Sequence, residues 1–195
     1  MESSDDFWLT TERLGLRLFT AADLGFLTAL YGDPDVARYL GGVRNRAQTA
    51  ELLETRILRY YDDHPGLGVW KTIHRATRAP VGFHLLNHIQ GETIIQVGYV
   101  LEKSAWGRGY ATEMAQAVLR YGFLDVKLPR IAAMTSLDNR ASQHVLEKIG
   151  LHRHGERSFT HPAYAAEGPM AWFEREASEW INERAHETAA ARQRS

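Results

Sequence analysis

Apolar and polar residues change period several times along this chain, and each change predicts an element. From Leu9 to Thr20 the run LTTERLGLRLFT alternates, with Leu14, Leu16 and Leu18 on one face, which predicts a strand. Thr20 then precedes Asp23 by three residues, the spacing of a helix cap, and Leu24, Leu27, Leu30 and Tyr31 share one helical face. GDPD breaks that helix, and Val36 to Leu40 allows a further turn. Asn45 to Asp63 contains no breaker and sets Leu53, Ile57 and Tyr60 at helical spacing. Three strand-like runs follow, GVWKTIH, VGFHLLNHI and TIIQVGYVL, joined by RATRAP and QGE. Connections that short predict an antiparallel meander. A helix is predicted next, from Gly109 to Phe123, with Ala111, Met114, Ala115, Val118 and Gly122 on its inner face. RIAAMTS predicts a strand, and NRASQHVLEKIG a short helix capped by Asp138 or Asn139 and stopped by Gly150. LHRHGERSF and PMAWFERE predict two last strands, and ASEWINERAHE a helix ahead of a frayed tail. The order predicts a single mixed α/β domain over residues 8–187, one sheet with helices on both faces, and a tail over 188–195.

Composition narrows the chemistry. The chain has 195 residues, 44% hydrophobic and 24% charged, with a formal net charge of −1. That balance provides no global field to recruit nucleic acid or an acidic membrane. There are no cysteines, which removes disulfides, thiolate metal sites and cysteine nucleophiles together. No apolar run approaches the ~20 residues of a membrane span. The opening MESSDDFWLT is acidic and lacks the apolar segment of a signal peptide, so a cytoplasmic protein is expected.

The stretch SAWGRGYATEM, Ser104 to Met114, sets Gly107 and Gly109 around Arg108 directly before the predicted helix. A helix start leaves four N–H groups unpartnered and carries about half a positive charge. Glycines there let phosphates approach the backbone closely, Arg108 adds a bidentate cation, and Thr112 adds a hydroxyl. The pattern reads as a pyrophosphate cradle. The P-loop string G-x-x-x-x-G-K-[ST] is absent, and a dinucleotide fingerprint would need glycine where Thr112 stands. A glycine turn that merely lets the helix pack remains the plainer alternative.

VGYVLEKSAWGRGYATEMAQAVLRYGF and RIAAMTSLDNRASQHVLEKIGLHRHGE resemble the GNAT superfamily of N-acetyltransferases, in particular the branch of the ribosomal-protein N-terminal acetyltransferases. The resemblance spans about Leu14 to Trp172 and is densest from Val97 to Gly155. It implies a central, mostly antiparallel twisted sheet with a splayed parallel pair, carried here by Ile94–Leu101 and Arg130–Ser136. The family's Q/R-x-x-G-x-G/A loop falls on Trp106, Gly107, Arg108, Gly109, Tyr110 and Ala111, and Trp106 departs from its first position. By this resemblance the amides from Gly107 to Thr112 hold the coenzyme A pyrophosphate. Tyr99, Val100 and Leu101 face the pantetheine arm, the Val100 N–H polarises the thioester carbonyl, and Asn139 holds the arm. The tyrosine that many relatives carry in the helix after that asparagine is Leu146 here, and Ser142 is the expected partner of the sulfur. A glutamate that some relatives place just before the Gly-Tyr of the meander strand is Gln96, which leaves Glu92, His84, His88 and Tyr164 as bases, directly or through water. Glu113 is expected to be structural. Tyr39, Trp172, the loop THPAYAAEG and the arginines Arg38, Arg44 and Arg46 border the expected acceptor groove.

The implied function is direct transfer of an acetyl group from acetyl-CoA to an amine, a protein N-terminus or a small molecule, with no covalent enzyme intermediate and no metal. A longer acyl-CoA, a module that binds CoA without turnover, and a dinucleotide-dependent oxidoreductase are the competing readings. Exposed strands and the habits of similar proteins suggest a homodimer.

Overall fold

In a computed structural model, which describes residues 7–164 and 168–192, the N-terminal alternating run forms a hairpin instead of one strand. Strand β1 (Leu9–Thr10) pairs antiparallel with β2 (Leu14–Leu18). The turn closes because the Thr11 hydroxyl accepts from the Leu14 N–H at 3.1 Å while the Thr11 N–H donates to the Leu14 carbonyl. Leu14 and Leu16 are buried as the alternation requires, but Leu18 is 40% exposed.

The Thr20–Asp23 pair forms its capping box ahead of α1 (Leu24–Gly32), which buries Leu27, Leu30 and Tyr31. Asp33 caps α2 (Pro34–Ala37). The expected helix from Asn45 begins with a second capping box, Asn45 with Gln48. It runs as α3 (Arg46–Leu52), a π-wound segment (Leu53–Leu58) and α4 (Arg59–Asp63). The meander is β3 (Gly68–His74), β4 (Pro80–His88) and β5 (Ile95–Leu101). After it come α5 (Tyr110–Leu124), β6 (Arg130–Ser136), α6 (Arg140–Lys148), β7 (His152–Arg157), β8 (Met170–Glu176) and α7 (Ala177–Arg192). Helix α7 thus continues past Glu187, where the sequence pattern ended it, and residues 193–195 lie outside the described residues.

The described strands form one eight-stranded sheet in the order β1-β2-β3-β4-β5-β6-β8-β7. Neighbours are antiparallel except β5 and β6. Helices α5 and α6 cover one face, where Met114, Val118, Phe123 and Leu146 pack on Leu16, Trp70, Leu86 and Val97. Helices α1 to α3 and the π-wound segment cover the other, where Leu27, Tyr31, Leu53 and Ile57 pack on Val69 and Phe83. Val69 and Trp70 are adjacent in sequence and serve opposite cores, as the two-residue period of a strand demands.

The parallel pair is what the site depends on. Strand β5 makes seven register pairs with β4, and β6 makes seven with β8. Between β5 and β6 only Gln96 and Ala132 are paired. Beyond that point the strands part, and β5 from Val97 to Leu101 has no strand partner on the β6 side. The sheet is therefore open in the middle, in the direction that leads to the start of α5.

Candidate active site

The loop between β5 and α5 turns on two left-handed glycines, Gly107 at φ 71° and Gly109 at φ 77°. Gly109 is the N-cap of α5 and provides no capping side chain. Among the described residues, none of the six N–H groups from Gly107 to Thr112 makes a well-aligned hydrogen bond to another group of the protein. A row of unpartnered donors at a helix N-terminus is a fixed anion site. Trp106 anchors the near end of the loop, its Nε1–H donating to the Leu101 carbonyl at 2.9 Å.

The far side of the loop is held from the N-terminal hairpin. The Arg13 Nη1 donates to the Arg108 carbonyl at 3.0 Å, its Nε donates to Glu113 Oε2 at 2.6 Å, and the guanidinium lies 4.7 Å from the Tyr110 ring centre. Glu113 Oε1 also accepts from the Thr11 hydroxyl and the Arg13 backbone N–H. Burial works to raise the Glu113 carboxyl, but these three donors and the Arg13 charge outweigh it and hold it below its ordinary value. Glu113 is thus a structural side chain that faces the hairpin.

Along the open edge, Val100 and Leu101 pack their side chains on opposite faces of the sheet, so only their backbone lies along the opening. Tyr99 reaches across to α6. Its hydroxyl donates to the Ser142 carbonyl at 3.0 Å and lies 3.1 Å from Ser142 Oγ. Burial pushes the Tyr99 phenol up to about 12, with the Ser142 hydrogen bond pulling back, so the group stays a proton donor at neutral pH. The Asn139 Oδ1 accepts from the Ser142 N–H at 3.1 Å and caps α6. Leu146 is buried in the core, so the hydroxyl that reaches Ser142 comes from strand β5 and not from α6.

The expected bases separate clearly. His84 is fully buried, with Nδ1 2.7 Å from the Thr72 hydroxyl, and burial pushes it down to about 3. His88 shares its strand face but bonds elsewhere, with Nδ1 2.7 Å from the Tyr60 hydroxyl; burial, then the neighbouring His64, lower it. Glu92 is paired with Arg157 at 2.8 Å. The Tyr164 hydroxyl accepts from the Gln90 N–H at 3.2 Å. Gln96, at the point where the strands part, donates to Asn87 Oδ1 at 3.3 Å. Asn87, His88, Tyr60, His64 and Arg56 share an open cavity of about 520 Å³ at the end of the sheet away from the cradle. Trp172, Phe159 and Tyr164 pack at tilted angles with Ile89 and Ala132, while Ala165 to Glu167 of the expected groove loop lie outside the described residues.

Two of the arginines expected near the groove, Arg38 and Arg44, make contacts within the protein. Arg38 lies over Tyr39 and pairs with Asp138 at 3.6 Å, and Arg44 lies over Tyr31. Asp35 pairs with Lys103. Helix α2 is thereby tied to the segment after β5 and to the segment after β6, one on each side of the opening.

An opened sheet edge that runs into an unpartnered helix start defines a class of domain, one that lays a phosphate-bearing carrier along its strands. Residues 13–152 match the acetyltransferase (GNAT) domain family, and the chain belongs to that family. The Bacillus subtilis protein YkkB is 33% identical over 147 residues, which are 74% of this chain and 84% of YkkB. The solved GNAT-family acetyltransferase of Bacillus anthracis matches at a TM-score of 0.70 and 28% identity, covering 87% of this chain and 98% of that one. A ribosomal L7/L12 alpha-N-protein acetyltransferase, solved in complex with coenzyme A, shares the fold at a TM-score of 0.71 and 17% identity, covering 88% and 98%.

Two features of this site carry no local signal in the sequence. Arg13 and Thr11 meet Glu113 across 100 and 102 residues, and Tyr99 meets Ser142 across 43. Alternation in LTTERLGLRL shows a strand edge but not what its arginine faces.

Proposed function

We propose that this chain is an acetyl-CoA-dependent N-acetyltransferase that passes the acetyl group directly to an amine. The observation that carries the reading is the set of free N–H groups from Gly107 to Thr112 at the mouth of the β5–β6 opening. Those amides, with the Arg108 side chain, hold the pyrophosphate. The backbone of Tyr99, Val100 and Leu101 pairs with the pantetheine arm as an added strand would. The structure of the similar ribosomal-protein acetyltransferase with coenzyme A supports a CoA-type ligand here.

In the transfer, the neutral amine nitrogen attacks the thioester carbon, and the Val100 N–H stabilises the oxyanion, a contact worth ~3 kcal/mol in comparable sites. The C–S bond breaks as the C–N bond is completed. The departing thiolate accepts a hydrogen bond from Ser142 Oγ, which lies beside the Tyr99 hydroxyl, and takes its proton from solvent. The attacking nitrogen releases its proton to solvent. A homodimer belongs to the same reading; β7 lies at the edge of the sheet and is mostly exposed, and sedimentation velocity checks it.

Calorimetry with acetyl-CoA tests the reading directly. Absence of binding at about 1 mM ligand defeats it. The second reading, a module that binds CoA without turnover, draws on Gln96 and Leu146, which lack the groups that some relatives use at those positions. A free-thiol assay over a panel of amines separates the two: turnover above hydrolysis that falls in Ser142→Ala excludes the module.

A further inference from the structure

The contact between Arg13 and the Arg108 carbonyl has a geometric consequence for the cradle. In a planar trans peptide the C=O and the N–H point in opposite directions. The Arg108 carbonyl points at Arg13, 3.0 Å from Nη1. The N–H of the same peptide belongs to Gly109, so it points away from Arg13 and out of the hairpin. We infer that Arg13, braced by Glu113 and Thr11, is a positioning residue for acyl-CoA: it fixes the Arg108–Gly109 peptide with its N–H turned toward the phosphates.

This rests on the pyrophosphate reading of the loop. The brace is overdetermined in a way that packing alone does not need. Arg13 is held at its Nε by Glu113, at its Nη1 by Arg108 and on its face by Tyr110. Glu113 in turn accepts from the Thr11 hydroxyl at 2.6 Å and from the Arg13 N–H at 3.0 Å. The guanidinium lies directly under the left-handed glycine, with Nη2 3.5 Å from where a Gly109 Cβ would sit. Left-handed turns such as those at Gly107 and Gly109 can exchange with other turn conformations by a peptide flip, and a flip here would bury the donor. The brace blocks it.

Charge adds a second effect. A carboxylate in the first turn of a helix favours the helix but repels a bound phosphate. Arg13 neutralises Glu113 at 2.6 Å, so the cradle keeps its helix and loses the repulsion. Removing Arg13 therefore both frees the peptide and exposes the ligand to an uncompensated negative charge.

Steady-state kinetics and calorimetry with acetyl-CoA test this on the full chain. If the wild type does not bind acetyl-CoA, the proposed function fails before this inference is reached. With binding present, Arg13→Gln is expected to raise the KM for acetyl-CoA and its Kd about tenfold, with kcat within about twofold. A merely structural residue would lower the melting temperature or the active fraction and leave KM alone. An unchanged KM, or a fall in kcat at constant KM, overturns the inference. Should Arg13→Gln fail to fold, Arg13→Lys carries the test. It keeps the positive charge beside Glu113 but cannot hold Glu113 and the Arg108 carbonyl together, and an increase of about threefold in KM is expected. An unchanged KM there overturns the inference equally.

Discussion

His84 makes the protein acid-sensitive in a predictable window. The ring is fully buried in β4, with Nδ1 on the Thr72 hydroxyl and the Tyr99 ring 5.9 Å away. Its Nε2 has no well-formed hydrogen bond, although the Ala111 backbone at the start of α5 lies on that side. Burial drives the group from 6.5 down to about 3, and the Ala111 backbone offsets only part of that. Above pH 6.5 the imidazole is neutral in both folded and unfolded chains and contributes no pH dependence. Between 6.5 and about 3 the unfolded chain binds a proton that the folded chain refuses, so stability falls as pH falls. With those two values the loss reaches about 2 kcal/mol at about pH 5. Urea unfolding of the wild type and of His84→Gln, each at about pH 7.5 and about pH 5, isolates it. Every other titrating group, His88 included, is common to both proteins. The wild type should lose about 2 kcal/mol more than the variant between the two conditions. Equal losses would refute the argument that burial keeps this ring neutral.

Three further outcomes follow from the same geometry. Gly109→Ala places a Cβ on a residue at φ 77°, where its nearest neighbour, Arg13 Nη2, is at an ordinary 3.5 Å; the cost is therefore conformational, about 1–2 kcal/mol by thermal melting, with weaker CoA binding by calorimetry. Lys71→Met leaves the Asp23 carboxylate unpaired in the core beneath α1 and should cost about 3–5 kcal/mol in urea; a change under about 1 kcal/mol would show that Asp23 reaches water. Tyr99→Phe removes the hydroxyl 3.1 Å from Ser142 Oγ and should lower kcat about tenfold with KM for acetyl-CoA unchanged, while a pure KM effect would place Ser142 outside the chemistry.

Local rules reached far into this protein. Residue spacing alone predicts the Thr20–Asp23 cap, the meander, a cap for α6 at Asp138 or Asn139, of which the structure uses Asn139, and the strand RIAAMTS, because each depends on neighbours within four residues or on a two-residue period. Gly107 and Gly109 before a helix start pointed to an anion site for the same reason: backbone sterics and an unpartnered first turn are local properties. The break at Thr11 in the first strand has no glycine or proline to mark it, since the turn is closed by a threonine hydroxyl. What only the tertiary structure decided is which distant groups meet. Glu113 meets Arg13 and Thr11, Tyr99 rather than an α6 residue reaches Ser142, and β5 leaves β6 after a single register pair. The side-chain contacts among these join residues 43 to 102 positions apart, and their partners are chosen by how the sheet twists and opens. A chain's periodicity records which face of an element is buried, but it holds no record of what lies across the gap.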